Sequence, residues 1–102
     1  MVFVSYQIDR ALKRLGADLK AARRRRRIKT QTMAERLGIT RVTLARLEDG
    51  IPTVGMGVYA AAIHALDADK LKVLENLFAD DRLGQALVDQ ALPKRIRGGA
   101  KT

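Results

Sequence analysis

Two short runs with helical apolar spacing flank Gly38-Ile39-Thr40, and this arrangement restricts the fold more than any other feature of the chain. In "KTQTMAERL", residues 29–37, Met33, Ala34 and Leu37 share one helical face. In "RVTLARLE", residues 41–48, Leu44 and Leu47 do the same. Gly38 can take the positive φ that stops a helix. Ile39 then plugs a core, and the Thr40 hydroxyl can accept from a free N–H at the start of the next helix. Asp49-Gly50 is a turn signal that closes the second run.

Two short helices joined by a tight glycine-containing turn form a helix-turn-helix arrangement. The rest of the chain offers helices for it to pack on. Ile8, Leu12, Leu15, Leu19 and Ala22 recur at steps of four and three, which predicts an amphipathic helix over about residues 6–26, with Gly16 off its stripe. The segment "IPTVGMG" reads as a loop. Val58, Tyr59, Ala62, Ile63 and Leu66 then mark a fourth helix. "DADKLKVLENLF", capped by Asp67 or Asp69, marks a fifth through Leu71, Leu74, Leu77 and Phe78. Leu83, Ala86, Leu87 and Ala91 suggest a short sixth, weakened by Gly84 and ended by Pro93. "PKRIRGGAKT" reads as a flexible basic tail.

Aromatic residues are only 4% of the chain against 47% apolar residues, so the core must be aliphatic. Leucine and alanine favour helices packed on helices. At 102 residues there is material for one modest core. The expected fold is all-α, a compact five-helix unit with a sixth short helix. Residues 1–79 are expected to form the helix-turn-helix domain, and 80–102 the short helix and tail.

The formal charge of +9 concerns partners rather than fold. Nucleic acid comes first, then an anionic membrane or an acidic protein. The absence of cysteine excludes disulfides and thiolate metal sites. The N-terminal "MVFVSYQIDR" is too short and polar for a secretory signal, and no apolar run approaches the roughly 20 residues that span a bilayer. A soluble, cytoplasmic chain without a membrane partner is expected.

Catalysis is not expected. His64 is the single histidine, with no nucleophile in a readable motif beside it. Asp80 and Asp81 look like a helix start. Gly55 and Gly57 lack the preceding strand and following lysine of a phosphate-binding loop. No cofactor, metal or small-molecule substrate is implied. Single-stranded nucleic acid calls for aromatic stacking platforms, which Phe3, Tyr6, Tyr59 and Phe78 do not form.

Two charged or exposed sets remain. The run Arg23–Arg27 falls at the C-terminal end of the first helix, where cations suit the macrodipole. At about 100° per residue, Arg26 continues the apolar stripe, Arg23 lies beside it, and Arg24 and Arg25 point away. On 41–48, the spacing places Val42 and Arg46 opposite Leu44 and Leu47, with Arg41 and Thr43 flanking them. Val42 is either a scattered surface valine or a contact for a thymine methyl. An arginine there could grip guanine bidentately. At the start of 29–37, Lys29, Thr30 and Gln31 suit a phosphate, while Thr30 equally suits ordinary capping.

"MAERLGITRVTLARLEDG" resembles the Cro/repressor-type (XRE) helix-turn-helix family through Ala34, Gly38, Thr40, Leu44, Leu47, Glu48 and Gly50. The resemblance covers roughly residues 12–78. It implies that Thr40, Arg41, Val42, Thr43 and Arg46 face an operator in duplex DNA. It also implies that Lys29, Thr30 and Gln31 hold phosphates, although Lys29-Thr30 stands where the family usually has Thr/Ser-Gln. Arg23 and Glu48 match positions that often form a partly buried ion pair, so Arg23 is expected to be structural. Such readers are usually homodimers, and helices five and six have apolar residues to spare for that contact. Farther on, "EDGIPTVGMGVYAAAIHAL", "DDRLGQAL" and "LPKRIR" resemble HipB-like antitoxins, which bind HipA-type kinase toxins and repress their own operons. The resemblance thus implies an antitoxin and autorepressor with a HipA-like kinase as partner. The alternatives are a stand-alone regulator, or a protein-binding antitoxin with only non-specific DNA affinity. "LPKRIR" is either a simple basic tail or a contact for DNA or toxin.

Overall fold

The computed structural model describes residues 4–91. It is all-helical there. In order come α1 (Tyr6–Arg25), α2 (Thr30–Leu37), α3 (Arg41–Glu48), α4 (Met56–Leu66), a 3-10 turn (Ala68–Lys70), α5 (Leu71–Glu75) and α6 (Arg82–Ala91). The chain divides into two compact units, one reaching Leu71 and the other starting at Lys72. The Pro93 stop and the basic tail from residue 93 lie outside the described residues.

The first unit is built around one small core. Leu19 of α1, Met33 and Ala34 of α2, Leu44 and Leu47 of α3, and Tyr59 and Ala62 of α4 are buried together. Leu15, Ile28, Leu37, Ile39, Val58 and Leu66 pack around them. Each fully buried large side chain contributes about 1.5–3 kcal/mol relative to exposure. The one hydroxyl in this core is satisfied, since Tyr59 Oη donates to the Ile51 carbonyl at 3.1 Å. Burial raises the Tyr59 pKa above its ordinary value.

Three consecutive helices end by the same device. Arg27, Gly38 and Gly50 each take left-handed φ, at 55°, 68° and 71°. An isoleucine follows each, and its N–H reaches back to a carbonyl five residues earlier: Ile28 to Arg23, Ile39 to Ala34, Ile51 to Arg46. Carbonyls at the helix ends are thereby paired. The first of these turns uses an arginine where the other two use glycine.

Several expectations are corrected. Gly16 falls off the apolar stripe predicted for α1, yet it is buried. A Cβ on it would meet the Leu47 and Glu48 carbonyls and the Gly50 nitrogen at 2.7 Å, so α1 approaches the end of α3 at backbone distance. Arg26 does not extend the stripe. The helix stops at Arg25, and Arg26 is exposed with Nη1 returning to the Ala22 carbonyl at 3.0 Å. At the other end Ile8 is 48% exposed, so the buried part of the stripe starts later. α4 begins at Met56, inside the expected loop.

The fifth helix is shorter than its leucine spacing predicts. Asp67 is the cap, accepting from the Asp69 N–H at 3.2 Å, but it opens a 3-10 turn. α5 then ends at Glu75, where Asn76 Nδ2 donates to the Lys72 carbonyl at 2.7 Å. Such local side-chain bonds compete with helix propagation. Leu77 and Phe78 lie beyond the helix, in a turn, and are exposed. α6 tolerates Gly84 because the glycine sits in its first turn, its N–H bonded to Asp81 Oδ1 at 3.0 Å.

Candidate nucleic-acid interface

α3 is held by its inward face. Leu44 and Leu47 are each 1% exposed, and Thr40 Oγ1 accepts from the Thr43 N–H at 3.1 Å, fixing the first turn. The Thr40 and Thr43 hydroxyls also lie 3.1 Å apart, so each is oriented by the other. Thr43 is half-buried rather than fully outward. Arg41, Val42 and Arg46 are exposed, Val42 at 63%. Ala45 is exposed between them and was not singled out from the sequence. Its signal was the spacing: residue 45 lies three beyond Val42 on the same face. The outward surface of α3 therefore combines two guanidinium groups with two small apolar side chains.

The start of α2 is open. Lys29 is the N-cap residue and makes no side-chain capping bond. Thr30 is the first helical residue, so the expectation that it caps this helix is corrected. With no side-chain cap, N–H groups of the first turn remain available to an anion. Gln31 is partly committed elsewhere, its Nε2 donating to Glu35 Oε2 at 2.9 Å. Lys29, Thr30 and Gln31 are all exposed.

The arginine run separates by role. Arg23 Nε donates to Glu48 Oε2 at 2.7 Å and Nη2 to Oε1 at 3.1 Å, with both side chains 7% exposed. Arg23 Nη1 also donates to the Ile28 carbonyl at 2.8 Å. One guanidinium thus joins α1, the turn after it, and the end of α3. A planar fork paired with a carboxylate in this way fixes orientation as well as distance. Arg24, Arg25, Arg26 and Arg27 are exposed.

Between the second half of α1 and α3 lies an open cleft of about 540 Å3, with the Arg23–Glu48 pair on its lining. Lys20, Arg24 and Arg41 also line it, as does Thr30 from α2. The place of Lys20 and Arg24 beside α3 was missed from the sequence, where Arg24 reads as part of a solvated face. His64 is exposed on α4, and no cluster of metal-ligating residues occurs among the described residues. No described helix is long and apolar enough to cross a membrane.

A family model for the helix-turn-helix domain matches residues 14–75, more than half of the chain. The chain belongs to the helix-turn-helix domain family. The match runs from within α1 to the end of α5 and so includes both α2 and α3, the two helices of the motif, and the Arg23–Glu48 tie that holds α3 against α1. No curated protein and no solved structure matches the chain.

Proposed function

We propose that this helix-turn-helix chain is a sequence-specific regulator of transcription that binds duplex DNA as a homodimer, with α3 in the major groove. One observation carries the reading. α3 is anchored by Leu44 and Leu47 and turns Arg41, Val42, Ala45 and Arg46 outward. The two arginines suit guanine O6/N7, and Val42 suits a thymine methyl. Thr40 and Thr43 sit at the helix start, where their hydroxyls can reach a base edge or a phosphate. Lys29, Thr30 and Gln31, around the uncapped start of α2, hold backbone phosphates.

A monomer of this size presents one reading helix. Two copies related by a dyad would read half-sites about one helical turn apart. On α6, Leu83 and Leu87 are exposed one turn apart, with Val88 beside them. That apolar face is the surface we assign to pairing.

The finer reading rests on sequence resemblance. The HipB-like stretches after Glu48 support an antitoxin that represses its own operon in the cytoplasm and binds a HipA-like kinase. Failure to co-purify with the product of any adjacent gene would remove that partner and leave a stand-alone regulator.

The deciding experiment is a salt titration of binding to the DNA upstream of its own gene, beside a scrambled duplex of equal length. A preference of about a thousandfold or more at physiological salt is the expected result. Equal, steeply salt-dependent affinity for both duplexes would mean that only charge acts, and would overturn sequence-specific reading.

A further inference from the structure

The cleft between α1 and α3 gathers three cations, Lys20, Arg24 and Arg41. None of them is in an ion pair among the described residues. Both oxygens of Glu48 already accept from Arg23, whose charge balances that carboxylate. Asp49 is the other carboxylate on the lining, one against three. Like charges gathered around one opening repel each other, and an anion between them relieves that repulsion. Thr30 adds a hydroxyl to the lining and brings the uncapped start of α2 to the same cleft.

We propose that this cleft is a phosphate-binding site, and that the phosphate it takes is a diester of the duplex backbone beside the groove that α3 enters. The inference rests on the DNA-reading role proposed above and adds α1 to the interface. Three features favour a backbone phosphate as the source. Arg41 belongs both to the cleft and to the outward face of α3, so whatever fills the cleft is continuous with what α3 reads. Arginine forks match phosphate oxygens bidentately, and lysine supplies a point charge. The cleft is also open to solvent rather than enclosed, as a continuous polyanion requires. The arginine run then has three uses. Arg23 fixes α3, Arg24 grips a phosphate with Lys20, and the others contribute long-range attraction.

The test uses the full chain, a short duplex of mixed sequence, and inorganic phosphate. Duplex affinity is measured over a range of salt for the parent, for K20Q/R24Q, and for a control pair of equal charge loss, R10Q/K70Q. Arg10 and Lys70 are exposed and do not line the cleft. The salt slope is expected to fall by about 0.9 for the cleft pair, the value for one lost phosphate contact, and by much less for the control. An unchanged slope for the cleft pair, or equal losses for both pairs, overturns the inference while DNA binding itself stands. In parallel, the backbone amides of Arg24, Thr30 and Arg41 are followed by NMR as inorganic phosphate is added. If the parent binds no duplex but these amides titrate, and K20Q/R24Q abolishes the response, the site takes a free phosphate and the DNA-reading role fails. If neither duplex nor phosphate binds, the site does not exist.

Discussion

Gly16 of α1 and Gly50 after α3 face each other with no side chain between them. A Cβ on Gly16 would stand 2.7 Å from the Gly50 nitrogen, and one on Gly50 would strike the backbone of Leu12 and Lys13. This bare crossing lets α1 run close along the end of α3 and brings Arg23 within reach of Glu48. Both neighbours are backbone and cannot swing aside. G16A is expected to destabilise the fold by about 1–3 kcal/mol, the range for overpacking. G50A should cost more, because its left-handed φ adds about 1–2 kcal/mol for a residue with a Cβ. Gly57 has nothing within 4 Å and lies in α4, so G57A should instead stabilise by up to about 1 kcal/mol. Urea unfolding of the three variants checks this, and equal effects at all three positions would contradict the close crossing.

The Arg23–Glu48 pair should behave as a unit. Both groups are buried, and among the described residues the hydrogen bonds to the Glu48 carboxylate come from Arg23. Removing either partner alone, as R23M or E48M, leaves the other without its counterpart and should cost about 3–5 kcal/mol. The joint replacement R23M/E48M should cost clearly less than the two single losses added together. A double-mutant cycle reads this directly, and additive effects would show that the two side chains act independently.

At Arg27 the backbone is left-handed without a glycine. R27G relieves that strain but frees the unfolded chain, so the net gain should be modest, about 0.5–1 kcal/mol. Thermal unfolding would show it as a small rise in Tm. A loss of stability instead would mean that the Arg27 side chain makes a contact worth more than its backbone costs.

Much of this architecture is legible from single-residue signals. Gly38, Thr40 and the pair Leu44/Leu47 each act locally, so the turn and α3 can be placed from the sequence within a residue. Features that depend on how helices cross are harder to see. Gly16 looks like a gap in the α1 stripe because a helical wheel does not show the backbone of α3 behind it. Arg24 looks solvated for the same reason, since its relation to the cleft exists only once α3 lies across α1. The leucine spacing of 71–78 predicts too long an α5 because it outweighs one asparagine on a wheel, whereas in the fold Asn76 bonds to the Lys72 carbonyl as the helix stops.

Tyr59 makes the fold sensitive to alkali. Its pKa is raised by burial, so the folded state holds the phenolic proton more tightly than the unfolded chain does. The stability this provides is complete below the unfolded value of about 10 and is lost as pH rises through the higher folded value. Y59F removes this titration along with the bond to the Ile51 carbonyl. The variant should be less stable than the parent at neutral pH by about 1 kcal/mol, the net worth of one hydrogen bond. The gap should narrow above pH 10. Denaturant midpoints measured across that range would refute the assignment if the gap stayed constant.

Arg46 and Lys29 separate reading from holding. Arg46 lies exposed on the outward face of α3, one turn beyond Val42. Lys29 precedes an uncapped helix start. If Arg46 grips a base edge, R46A should weaken binding to the operator by about 1–3 kcal/mol and relax discrimination near one base pair, with little effect on random DNA. If Lys29 holds a phosphate, K29A should weaken binding to every duplex alike and lower the salt slope by about one. Anisotropy titrations on operator and scrambled DNA, repeated over salt, distinguish the two roles. Equal losses on both duplexes for R46A would remove α3 from base recognition and reduce its arginines to charge alone.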